Sequence, residues 1–133
     1  MTGSRWIFAM MVALSVGTAC SDAPTISVAQ PGTVVLSLTT PHTDDGAVLF
    51  EVTGPPIDSA IAVNASLRLF TRRVGGSTLL GALVGPIRTG TVVTLYLPDV
   101  AANGGHTARL LEVADRQDTL RSSLTGYALR VTP

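Results

Sequence analysis

The sequence predicts an all-β protein, a single antiparallel β-sandwich of seven or eight short strands. Three observations lead there. Apolar and polar residues alternate with period two through much of the chain after residue 32. Turn-forming clusters such as "PHTDDG", "GPP", "RVGGS" and "GPIRTG" break that alternation every roughly eight to twelve residues, the spacing of sandwiches and barrels. Thr, Ser, Val, Gly and Leu dominate the body, a palette that favours strands and turns over helices.

The elements follow in order. "TVVLSLTT" sets Val34, Leu36 and Leu38 on one face and Thr33, Ser37 and Thr39 on the other. After the turn at "PHTDDG", "AVLFEVT" opposes Val48, Phe50 and Val52 to Leu49, Glu51 and Thr53. The prolines of "GPP" stop it, because proline cannot donate to a ladder. A weaker strand is expected over residues 57–63. "SLRLFTR" sets Leu67 and Leu69 against Arg68, Phe70 and Arg72, and "RVGGS" joins it as a hairpin to "TLLGALV". "TVVTLYL" carries Val93, Leu95 and Leu97 on one side. "HTARLLEVAD" and "TGYALRV" complete the set, separated by "RQDTLRSS". The stretch "ARLLEVADRQDTLRSSL" fits a 3.6-residue period poorly, so it reads as a strand with a short turn of helix after Asp115.

Length and composition narrow the class. The 133 residues suit one domain with one modest core. Apolar residues make up 46% and charged residues only 14%, which excludes a disordered chain. Net charge is zero, and the basic residues are scattered arginines without a lysine. That pattern lacks the basic stripe nucleic acid requires, so no nucleic-acid partner is expected.

The amino-terminal segment reads as an address. Arg5 gives a positive start, Trp6 to Val16 form an apolar run, and small residues Gly17, Thr18 and Ala19 follow. The run is far short of the roughly 20 residues that span a bilayer. The division is therefore an export signal over 1–19, a tether headed by the single cysteine over 20–32, and a β-sandwich over 33–133. The tether assignment rests on the small, polar, proline-bearing "SDAPTISVAQPG".

The end of this run, "GTAC", resembles a bacterial lipobox, in which small residues precede the cysteine that is acylated. Thr18 and Ala19 are the small pair and Cys20, the single cysteine, is the acceptor; Gly17 stands where leucine is typical, with Val16 displaced by one. The resemblance implies a lipoprotein anchored through Cys20 to the cell envelope. Acyl chains contribute about 0.8 kcal/mol per buried methylene, enough for a firm hold when two or three are present. Because Ser21 rather than aspartate follows the cysteine, the family habit favours the outer membrane of a two-membrane cell. Ordinary cleavage after Ala19, with plain secretion, is the rival.

A second resemblance concerns "TVVTLYLPDVAANGGHTARLLEVAD", which is similar to the strand, corner and strand near the end of immunoglobulin-like domains. Gly104 matches the corner glycine, His106 stands in the tyrosine position and Ala108 in the cysteine position. It implies an immunoglobulin-like sandwich, and a cohesin-like sandwich shares the pattern.

Reactive constellations are scarce. The chain has no Gly-x-Ser-x-Gly elbow, no His-Glu-x-x-His and no phosphate-cradling loop. His42 and His106 fall in loops, and with Cys20 assigned to the anchor a zinc site lacks ligands. Asp44 and Asp45 are the only metal candidates, as hard ligands for calcium, but too few carboxylates lie nearby and Asp-Gly is a common turn. Asp115 and Asp118 read as a solvated loop, and Tyr96 and Tyr127 as amphipathic packing residues. Glu51 and Glu112, the only glutamates, are the one possible carboxylate pair.

No cofactor is expected. The leading expectation is a non-catalytic binding or structural module at the bacterial envelope, its partner an envelope protein or polysaccharide. Recognition is expected in the loops 40–46, 73–77 or 98–106. The alternatives are an envelope hydrolase using carboxylates and a calcium-stabilised, cohesin-like assembly module.

Overall fold

The computed structural model describes residues 26–133, and the segment expected to be an export signal, with Cys20, lies outside them. Eight strands form two antiparallel sheets of four. They are β1 (Gly32–Thr39), β2 (Asp45–Thr53), β3 (Ser59–Ala62), β4 (Arg68–Val74), β5 (Thr78–Val84), β6 (Gly90–Leu97), β7 (Thr107–Asp115) and β8 (Ala128–Thr132). One sheet runs β3-β6-β1-β8 and the other β4-β5-β2-β7. The sandwich expected from the sequence is present.

The pairings are nested. β4 pairs with β5, β3 with β6, β2 with β7 and β1 with β8, as though one long hairpin had been rolled up from its tip at 75–77. The β1–β6 and β2–β5 pairings then join these ribbons into sheets. Nested antiparallel pairing of this kind sets strands far apart in sequence side by side, β1 beside β8 and β2 beside β7. Gly75 at the tip has φ 65°, a left-handed conformation that glycine adopts without steric cost.

The core lies between the sheets and follows the alternation read from the sequence. Val34, Leu36 and Leu38 of β1, Val48, Phe50 and Val52 of β2, and Val93, Leu95 and Leu97 of β6 are all buried. Phe50 lies opposite Gly81 of β5, and a Cβ there would collide with its ring. Glycine is thus required where the two sheets' largest buried side chain crosses the neighbouring strand.

Three β-bulges break strict parity. At Leu36/Ser37 the extra residue is Val92 of β6, so the consecutive Val92 and Val93 are both buried. At Leu49/Phe50 it is Leu111 of β7. Between Asp45 and Ala47 it is Gly46 of β2, where a Cβ would lie 2.9 Å from the Arg116 Cα. The expected helical turn after Asp115 is absent. Asp115 Oδ1 accepts the Gln117 and Thr119 amides instead, folding the chain into a turn that returns through an Ala114–Leu120 bridge. A 3₁₀ turn lies earlier, at Val100–Gly105.

Candidate functional site

Two places concentrate side chains of chemical interest. The first is a polar cluster at the end of the sandwich opposite Gly32, where β1 begins. The Gly46 bulge turns Asp45 inward, out of the parity that Ala47, Leu49 and Glu51 keep, and Asp45 is fully buried. Its carboxylate is enclosed by donors. Thr40 Oγ1 donates to Oδ2 at 2.5 Å, Arg121 Nε and Nη2 donate to Oδ1 at 3.1 and 2.9 Å, and the Tyr127 hydroxyl lies 2.9 and 3.0 Å from the two oxygens. Arg121 also holds Asp44 at 2.6 Å, and the His42 ring tilts against Tyr127 with centroids 5.9 Å apart.

The electrostatics of this cluster are self-contained. Burial pushes the Asp45 carboxyl up, but the hydrogen bonds from Thr40, Arg121 and Tyr127, with the Arg121 charge, hold it below its ordinary 3.8. The Tyr127 phenol is raised, by burial first and then by the carboxylate it faces. The Arg121 guanidinium is raised chiefly by its hydrogen bonding to Asp45. Both carboxylate oxygens of Asp45 thus meet protein donors. Among the described residues no buried side-chain nitrogen or oxygen lacks a partner. The cluster ties the β1–β2 turn to the long β7–β8 connection and the start of β8.

This changes the reading of the two aspartates. Asp44 remains an exposed turn residue, whereas Asp45 is the first residue of β2 and a buried hub rather than a solvated turn. Nothing in the spacing of "HTDDG" signals a bulge one residue later. The informative signals are distant, namely Arg121 in the connection after β7 and the Tyr127 of "TGYALRV".

The glutamates do not oppose each other. Arg109 lies across from Glu51 and donates to it at 3.2 Å, while Glu112 stands across from Leu49. Among the described residues no group of three or more metal-binding side chains occurs. The loops proposed for recognition are largely tied down. Loop 40–46 is folded into the Asp45 cluster. In 98–106, the Val100 amide donates to Gln30 O at 2.7 Å, Asp99 Oδ1 accepts the Ala101 amide at 3.0 Å, and the His106 ring lies 2.9 Å from Pro55 O.

The second place is the outer face of the β4-β5-β2-β7 sheet. The register lays its outward side chains in rows across the strands. One row is Phe70, Ala82, Leu49 and Glu112; the next is Arg72, Leu80, Glu51 and Arg109; a third is Arg68, Val84, Ala47 and Ala114. Phe70 is 60% exposed, although a phenylalanine is normally an interior residue. Beside it lies a shallow groove of about 340 Å³, lined by Leu49, Phe70, Arg72, Leu80 and Ala82. The outward face of this sheet is therefore an apolar strip bounded by arginines on β4 and by the Glu51–Arg109 pair and Glu112 on the far side.

Comparison with protein families, with curated proteins and with solved structures gives no match for this chain.

Proposed function

We propose that this protein is a non-catalytic binding module, exported and anchored through a lipid on Cys20, that recognises its partner with the outer face of the β4-β5-β2-β7 sheet. The observation that carries the reading is Phe70, largely exposed beside a groove of Leu49, Leu80 and Ala82. Exposed aromatic residues in an apolar strip rimmed by charge are what recognition surfaces are made of. A groove of a few hundred cubic ångströms is enough to seat one anchoring side chain.

The polar cluster supports the same reading from the other direction. Asp45 has the burial and the neighbours of a reactive carboxylate, but its oxygens are occupied by Thr40, Arg121 and Tyr127. Its role is to hold the sandwich end together. With the chain entering at Gly32, the cluster lies at the end away from the tether, and the groove face runs along the side between them.

The test is a crosslinking capture from intact envelopes with wild type and Phe70→Ser in parallel. A partner recovered with the wild type and lost with Phe70→Ser, at equal abundance and melting temperature, is the expected result. Recovery of the same partner by both proteins excludes this face as the recognition surface.

A further inference from the structure

The sheet that carries the groove also ends in an unpaired strand. β4 is the edge of the β4-β5-β2-β7 order, and among the described residues no strand pairs with its outer side. We propose that this edge takes up an extended acidic segment of a partner protein as an added strand, with Arg68 and Arg72 pairing its carboxylates and Phe70 covering an apolar residue between them. The inference rests on the sheet-face reading above and names the chemistry of its partner.

The argument begins with spacing. Arg68, Phe70 and Arg72 alternate outward along β4, each two residues from the next. Strands rise about 3.3 Å per residue, so an added strand repeats at the same interval and sets every second side chain on this face. The complementary segment is therefore acidic, any, apolar, any, acidic. Main-chain hydrogen bonds to the free edge supply affinity in such additions, and alternate side chains supply specificity.

Charge points the same way. No carboxylate lies within ion-pair distance of Arg68 or Arg72 among the described residues. Of the two carboxylates on the sheet's outer face, Glu51 is paired with Arg109 and Glu112 is on β7, at the opposite edge. Three of the chain's nine arginines stand on β4, and the third, Arg73, has a different task. It donates to the carbonyls of Ile57 and Asp58, fixing β4 to the connection before β3. The edge is thereby held ready rather than left to find its shape on binding.

Edge arginines also discourage strands of like proteins from pairing, and that is the ordinary use of charge at an edge. Two copies of β4 brought edge to edge would set arginines against arginines, so the same residues that recruit an acidic strand repel a second copy. A purely protective edge has no use for a phenylalanine 60% exposed at its centre.

The experiment pans random dodecapeptides displayed on phage against the immobilised full chain. Enrichment of the alternating acidic–apolar–acidic pattern is expected. An enriched peptide should slow amide exchange at residues 68–74, and the double change Arg68→Glu, Arg72→Glu should weaken it about tenfold or more, as replacing two attractions by repulsions implies. Phe70→Ser should weaken it with the melting temperature unchanged. Enrichment of sequences without acidic residues overturns the proposal, as does the absence of any enrichment. Protection confined to residue 49 and residues 80–82 overturns the added strand while leaving the sheet face as the recognition surface. Arginine-dependent binding to phosphatidylglycerol vesicles in place of peptides assigns the patch to lipid and overturns it too.

Discussion

Arg121 reaches across the end of the sandwich to Asp45, placing two guanidinium nitrogens 3.1 and 2.9 Å from one carboxylate oxygen although 76 residues separate them in sequence. Asp45→Ala removes the acceptor that Arg121, Thr40 and Tyr127 share. Breaking a buried ion pair by deleting one member is expected to cost about 3 kcal/mol, because the remaining partners stay desolvated without an acceptor. Chemical denaturation of the two proteins measures it.

The same cluster sets an acid limit. The Asp45 carboxyl is lowered from 3.8 in the fold, so its contribution is complete above that value and is lost as pH falls through the folded pKa. Tyr127 is raised from 10.0, so its contribution is complete below that value and is lost as pH climbs through the folded pKa. Denaturation midpoints across pH should therefore fall below about pH 4 and above about pH 10 through these two groups. Asp45→Asn should flatten the acid limb; an unchanged acid limb places its origin elsewhere.

Calcium should shift the melting temperature little. Asp45 has both oxygens occupied by protein donors and Asp44 is bound to Arg121, which leaves no pair of free carboxylates in "HTDDG". A calcium-dependent rise abolished by Asp44→Asn is the contrary outcome, and calorimetry with and without calcium decides.

The Phe50–Gly81 pairing makes a strand-register prediction. Phe50→Ala should cost about 3–5 kcal/mol through lost burial and a cavity. Gly81→Ala should also destabilise, since its added methyl collides with the Phe50 ring. Glu51→Thr, which removes only the exposed pair with Arg109, should cost less than about 1 kcal/mol. Comparable losses at Phe50 and Glu51 are incompatible with this register.

How much of this was legible follows from what sets each feature. Alternation placed Val34, Leu36, Leu38, Phe50 and Leu95 in the core because a half-buried strand enforces it locally. The turns at 75–77 and 54–56 announced themselves through glycine and proline. Asp45 was misplaced because a one-residue bulge at Gly46 reverses parity, and that bulge depends on Asp115 and Arg116, some seventy residues away. The sequence shows no partner for Arg121 either, since Asp45 is brought to it only by the fold. The outward set Arg68, Phe70 and Arg72 was visible on its strand, but its neighbours Ala82, Leu80 and Leu49 required the register.

The anchor has its own test. Mass spectrometry of the protein from membranes should find Cys20 acylated, and Cys20→Ser should alter processing or release the chain. An unmodified cysteine on the mature protein contradicts anchoring.

The central claim is that the face bearing Phe70 meets the partner, and site-specific photo-crosslinking in intact envelopes tests it most directly. A photoreactive phenylalanine analogue replaces Phe70 in one protein and Tyr96, 41% exposed in the β3-β6-β1-β8 sheet, in another. The account predicts a discrete adduct from position 70 and none from position 96. An adduct from position 96 alone, or no adduct from position 70, contradicts it.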